Sequence, residues 1–226
     1  MKLGVLFSGG KDSTLALQKA MQHHKVVCLI TLISENNESY MFHTPNIKIT
    51  TLQAKALNLP LIKKTTKGQK EVELKDLKKA IILAKNKFNI RGIVTGAIKS
   101  VYQSSRIQKI CDELDLQCLN PLWLKDELEL LNEIVNNKLK VIISGVFAYG
   151  FDRSFLGKII DQGMIEKLKV LKEKYQINPS GEGGEIETTV LDSPIFKKRI
   201  EILDSEIFYE NNSGTFRIKK ARLAEK

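Results

Sequence analysis

Cysteine is scarce in this chain of 226 residues. Cys28, Cys111 and Cys118 are all there is, and none falls in a CxxC or other metal-ligand spacing. That excludes a disulfide framework and a cysteine-ligated metal site. Cys28 in an apolar run and Cys111 on an apolar helix face read as buried free thiols, the state of a reducing compartment. No apolar run is long enough to span a membrane, and the apolar part of "MKLGVLFSGG" is too short for a secretion signal. The expectation is a cytoplasmic protein with no membrane partner. Prolines are few, and repeats and low-complexity linkers are missing. A chain of this length folds as one large or two small domains and buries roughly 70% of its unfolded surface. A dense basic tract is missing as well. Lys and Arg number 36 against 26 Asp and Glu, a net charge of +10, but the lysines are scattered through a sequence rich in Lys, Ile and Asn. Nucleic acid is therefore not indicated.

What is present begins with alternation. Apolar strand patterns at Leu3–Phe7, Val26–Ile33, Leu61–Lys64, Gly92–Thr95 and Leu116–Leu119 are separated by helical patterns at Ser13–His23, Leu52–Leu57, Glu71–Phe88 and Tyr102–Leu114. In the last of these, Ile107, Ile110, Cys111 and Leu114 recur at i, i+3, i+4, i+7, a buried face. Strand and helix in turn predict an α/β fold, a parallel sheet with helices on both faces. After Pro121 the pattern changes to helix (126–136), a strongly apolar strand (140–148), a helix carrying Met164, Leu168, Leu171 and Tyr175, and a β-rich tail around "NNSG". That tail has hairpin chemistry and predicts a smaller C-terminal α+β domain. The expected division is residues 1–122 and 123–226.

The stretch "GVLFSGGKDSTLAL" joins the first strand to the first helix through Ser8-Gly9-Gly10-Lys11-Asp12-Ser13. Two glycines let backbone N–H groups line a concave anion site at a helix start, Ser8 and Ser13 add hydroxyls, and Lys11 adds a charge. The spacing is not that of the Walker loop. Asp12 is the odd member, because a carboxylate beside a phosphate needs an intervening cation or a capping duty. It predicts either Mg²⁺ at Asp12 or a helix cap.

"SGGKDS" resembles the pyrophosphate loop of the N-type ATP pyrophosphatases, a HUP-like fold whose members cleave ATP at the α-phosphate. "MFHTPN" (41–46), "GAIKSVYQSSR" (96–106), "NPLW" (120–123), "LGKIID" (156–161) and "NPSGEGGEIET" (178–188) together are similar to the diphthine–ammonia ligase family, in its compact archaeal form. Phe151 and Ile186 depart from the family pattern. The resemblance implies ATP and Mg²⁺ as cofactors, with nucleotide held by Ser8, Gly9, Gly10, Lys11, Asp12 and Ser13, by Thr31 and Ser34 of the second strand, and by Gly96 and Ala97. It implies a substrate side built from His43, Ser100, Tyr102, Gln103, Glu182, Gly183, Gly184, Glu185 and Glu187; Tyr149, Phe151 and Trp123 read equally as walls for a quaternary ammonium or as core, with Trp123 the one that leans to core. Lys11, Asp12, Arg106 and Glu185 are the expected catalytic residues. Arg106 would hold a phosphate or carboxylate bidentately, and Glu185 would accept a proton from ammonium.

The partners implied are elongation factor 2 carrying diphthine, and ammonium. No Cys–His pair equips the chain as a glutaminase. A homo-oligomer stays open. So do a tRNA-modifying adenylating enzyme of the same superfamily and an ATP- or AMP-binding regulator without turnover.

Overall fold

The computed structural model describes residues 1–35, 45–69 and 72–226. Strands β1 (Lys2–Leu6), β2 (Lys25–Ser34), β3 (Leu61–Thr66), β4 (Gly92–Val94) and β5 (Gln117–Leu119) pair in parallel, in the order β3-β2-β1-β4-β5. Helices α1 (Lys11–His23), α2 (Thr50–Leu57), α3 (Val72–Phe88) and α4 (Val101–Glu113) alternate with them. The residues of β2 show why this sheet is covered twice. Leu29 packs with Leu15, Leu17 and Ala54 of α1 and α2, whereas Cys28, Ile30 and Leu32 pack with Leu77, Ile81 and Ile107 of α3 and α4. A strand buried on both faces reads as an unbroken apolar run, as "VVCLITLI" does. The chain reverses its direction across the sheet between β1 and β4. In open α/β sheets that switch point opens a crevice at the carboxyl ends of the strands.

A second, antiparallel sheet has the order β7-β6-β9-β8, from β6 (Lys140–Val146), β7 (Ile186–Asp192), β8 (Arg199–Glu210) and β9 (Ser213–Ala224). Helices α5 (Glu127–Asn136) and α6 (Gln162–Tyr175) accompany it, burying Leu130, Leu131 and Ile134, and Met164, Ile165 and Leu168. The "NNSG" hairpin forms as predicted. Glu210 pairs with Ser213, and Asn211 and Asn212 take φ of 49° and 60°, the left-handed pair that a two-residue turn needs. One continuous apolar cluster runs from Val5 through Leu15 and Leu57 to Ile142, Leu168 and Val190, so the two sheets share a core. Asn46, the last residue of "MFHTPN", sits at φ 63° and ties its loop to β9, donating to the Phe216 carbonyl (2.9 Å) and accepting from the Ile218 N–H (2.8 Å). No helix among the described residues is long and apolar enough to cross a membrane.

Two helices of the C-terminal half are capped by aspartate. Asp126 accepts from the Leu128 and Glu129 N–H groups (2.9 and 3.1 Å), and Asp161 from the Met164 N–H (2.8 Å). Replacing either by Ala is expected to lower stability by about 1 kcal/mol, read as an earlier urea midpoint at unchanged slope. Helix α1 differs. Its N-cap is Gly10, which offers no side-chain cap, and its first turn opens on the crevice between β1 and β4.

Candidate active site

That crevice is a cleft of about 690 Å³. One wall is apolar and comes from the face of the sheet that α3 and α4 cover. Leu6, Ile30, Leu32, Leu77 and Ile107 line it, and all belong to or pack on that core. The floor is the glycine loop between β1 and α1, with Ser8, Gly10, Lys11, Asp12 and Ser13 lining the cavity. Thr95, Gly96 and Ala97, with Ser100 at the cap of α4 and Gln103 in its first turn, form a further side. Opposite them stand residues 181–184, then Ile186, Glu187 and Thr188 of β7, with the ring of Phe147 at the rim.

Two glycines make this geometry possible. Gly9 holds φ of +80°, and a Cβ there would lie 2.2 Å from Oε1 of Gln53. Gly96 brings its backbone against the start of α1, where a Cβ would meet the Ser13 nitrogen at 2.8 Å and the Asp12 carbonyl carbon at 2.9 Å. The Gly96 turn is itself braced. The Thr95 hydroxyl accepts from the Ala97 N–H (3.1 Å) and donates to Oδ1 of Asn120 (2.5 Å), the first residue of "NPLW".

Charge in the cleft is close-set. Lys11 is almost fully buried, and its Nζ lies 2.7 Å from Oδ2 of Asp12. The other oxygen, Oδ1, is buried and has no hydrogen-bond partner among the described residues. Asp12 therefore does not cap α1; it presents an unused oxygen at the foot of the anion loop. Glu182 accepts from the N–H groups of Lys99 and Ser100 with one oxygen, at 3.0 Å each, and so joins the 181–184 loop to the start of α4. Burial, with Asp12 nearby, raises its pKa. Glu187 lines the cleft and is half-buried. Burial pushes its carboxyl up to about 7, with Lys11 acting to lower it and Asp12 to raise it further.

Of the residues singled out in the sequence, the structure gathers Ser8, Gly10, Lys11, Asp12, Ser13, Gly96, Ala97, Ser100, Gln103, Glu182, Gly183, Gly184 and Glu187 around one cavity. It places the others elsewhere. Gly9 faces Gln53 behind the loop. The Thr31 hydroxyl donates to the Phe7 carbonyl (2.6 Å) and is buried, and neither it nor Ser34 lines the cleft. The Arg106 guanidinium stacks on the Tyr102 ring at 3.5 Å, outside the cleft lining. Glu185 lies just before β7 and turns one oxygen onto the Asn178 N–H (3.1 Å), away from the lining. His43 lies outside the described residues. Tyr149 is 68% exposed and packs edge-on to Tyr175, while Phe151 is core against Phe155, so neither is a wall of this cavity. Sequence reasoning pointed to the second strand but missed Leu6, Leu77 and Ile107 of the apolar wall, Phe147 and Thr188. For α4 a signal existed, because Ser100, Gln103 and Ile107 follow the stripe set by the buried face, and Tyr102 and Arg106 do not.

The described residues hold no group of three or more His, Cys, Asp or Glu placed to bind a metal ion. The single free carboxylate oxygen of Asp12 at the start of α1 fits Mg²⁺, which takes one or two carboxylates and completes its shell with water and substrate phosphates.

Comparison with known proteins matches the diphthamide synthase N-terminal domain to residues 1–118 and the diphthamide synthase C-terminal domain to residues 126–224. A Schizosaccharomyces pombe protein named diphthine–ammonia ligase is 37% identical over 95% of this chain, which spans 38% of that longer protein. Bos taurus and Homo sapiens proteins of the same name are each 36% identical over 92% of this chain and 85% of their own.

Proposed function

The chain belongs to the diphthamide synthase family and is a ligase, and from that membership and the geometry of the cleft we propose that it amidates diphthine on elongation factor 2 with ammonium, using ATP and releasing AMP and pyrophosphate. The observation that carries the reading is the pairing of an uncapped helix start on a glycine loop with an apolar wall across the switch point. A purine fits the wall, and the polyphosphate fits the loop.

In the proposed reaction the diphthine carboxylate attacks the α-phosphorus of ATP. The bond to the β-phosphate oxygen breaks, and pyrophosphate leaves into the loop at residues 8–13. Ammonia then attacks the acyl carbon of the adenylate, AMP departs with the C–O bond, and the amide remains. Lys11 and the backbone N–H groups meet the charge that develops on the leaving pyrophosphate. Asp12 would hold Mg²⁺, which when bound supplies further neutralisation of the phosphates. Glu187, rather than Glu185, stands where an ammonium proton can be taken, because its carboxyl faces the cavity beside Lys11. Ser100, Gln103 and the 181–184 loop surround the space left for the modified side chain.

The test uses the purified protein with Mg-ATP, ammonium and elongation factor 2 bearing diphthine. AMP and pyrophosphate are expected only with the factor present, together with the small mass change from acid to amide. AMP without that change would move the acceptor to another carboxylate or to tRNA. Intact ATP, or ADP, would sink the reading.

A further inference from the structure

Gln53 is the one fully buried amide side chain in a short helix whose neighbours are Leu52, Ala54, Ala56 and Leu57. Its Nε2 donates to two carbonyls at once, Gly9 of the anion loop (2.8 Å) and Val190 of β7 (2.8 Å). Its Oε1 is buried without a partner among the described residues and lies over the bare Cα of Gly9. A residue that served only to fill α2's inner face would be another Leu or Ala, since an orphaned buried oxygen costs free energy. What the amide gains is the bridge. Two more bonds run the same way: the Val190 N–H donates to the Gly9 carbonyl (3.0 Å), and the Lys11 N–H to Oγ1 of Thr188 (3.1 Å). Both flanks of Gly10 are thus fastened to a strand of the other sheet. That strand also presents Glu187 to the cleft and continues directly from the 181–184 loop.

We infer that Gln53 and Thr188 are positioning residues for pyrophosphate, which hold the 8–13 loop in its anion-accepting shape by tying it to β7. The inference rests on the proposed use of ATP. Neither side chain need touch the nucleotide for this. Gln53 sets the Gly9 carbonyl away from the cavity, and Thr188 fixes where the Lys11 backbone, and so the start of α1, stands.

The experiment compares Gln53→Leu and Thr188→Val with the unaltered chain by calorimetric titration with inorganic pyrophosphate, a non-hydrolysable ATP analogue and AMP, all with Mg²⁺. Thr188→Val keeps the β-branched shape that its strand accepts, and it decides the matter if Gln53→Leu does not fold. For each folded variant, binding of pyrophosphate and the ATP analogue is expected to weaken roughly tenfold or more, as for a buried hydrogen bond broken at one partner. AMP, which reaches the apolar wall but not the loop, should stay within about twofold. Equal weakening of AMP and the ATP analogue would overturn the inference, because a general collapse of the cleft does that. So would unchanged binding of pyrophosphate. An unaltered chain that binds neither pyrophosphate nor the ATP analogue would fail at the level of the ATP reading itself.

Discussion

Lys11→Met is expected to lower AMP formation on the order of 10²- to 10³-fold, the loss that follows removal of a preorganised group from a developing anion. The long apolar chain of Met fills the space of the lysine stem, so what disappears is the charge. Nζ of Lys11 lies 2.7 Å from Asp12 and is almost wholly removed from solvent, so water does not replace it. Two carboxyl groups, Asp12 and Glu187, then face the phosphates with no fixed cation between them. Lys11→Arg should not fully restore the rate, because a planar fork does not reproduce the compact point charge that Nζ sets 2.7 Å from Asp12. A second readout separates charge from simple damage. Lys11 lowers the pKa of Glu187, so the low-pH limb of any activity that depends on the Glu187 carboxylate should move to higher pH in Lys11→Met. A fall in rate with that limb unmoved, or a fall of less than tenfold, would remove Lys11 from the proposed chemistry.

Much of this site was legible before any coordinates, and the reason is locality. A strand, two glycines and a helix start are decided within a dozen residues, so the loop at residues 8–13 and its direction into a crevice follow from spacing alone. The sheet follows almost as directly, because runs such as "VVCLITLI" have one reading when helices alternate with them. The failures share a cause too. Thr31 is a nucleotide residue by resemblance, but its hydroxyl serves the Phe7 carbonyl next door, and Ile30 and Leu32 of the same strand line the cavity instead. Arg106 and Tyr102 do meet at i, i+4 as the spacing requires, on a face of α4 that the cavity does not use. Nothing local says that α2 would lend an amide to a loop 44 positions away, or that β7 would lie against the loop at all. Those are contacts between distant parts of the chain, the second of them between the two sheets, and pairing of that range is written in no short motif.

The glutamates of "GEGGEIET" show the same limit at closer range. Alternation along a strand puts Glu185 and Glu187 on one side, but Glu185 precedes β7 and its carboxylate closes back on Asn178, so that of these two only Glu187 lines the cavity. Glu187→Gln is therefore expected to slow amide formation about 10²-fold or more, with pyrophosphate release in the first step much less affected because Lys11 and the loop remain. In the unaltered protein the carboxylate is the working form, so amidation should fall as pH drops through about 7, and the variant should lose that limb. Stability moves the other way. The folded-state pKa of about 7 stands above the ordinary 4.5, so between those values the native state binds more protons than the unfolded chain, and stability declines as pH rises through that window. Glu187→Gln removes the penalty of charging a buried carboxyl, so above pH 7 it should melt at a higher temperature than the parent while making less amide. Glu185→Gln, whose side chain does not line the cavity, supplies the control. If it were Glu185→Gln that abolished amidation and Glu187→Gln that spared it, the proton acceptor would be the other carboxyl, and the 181–184 loop would have to turn over to bring it into the cleft.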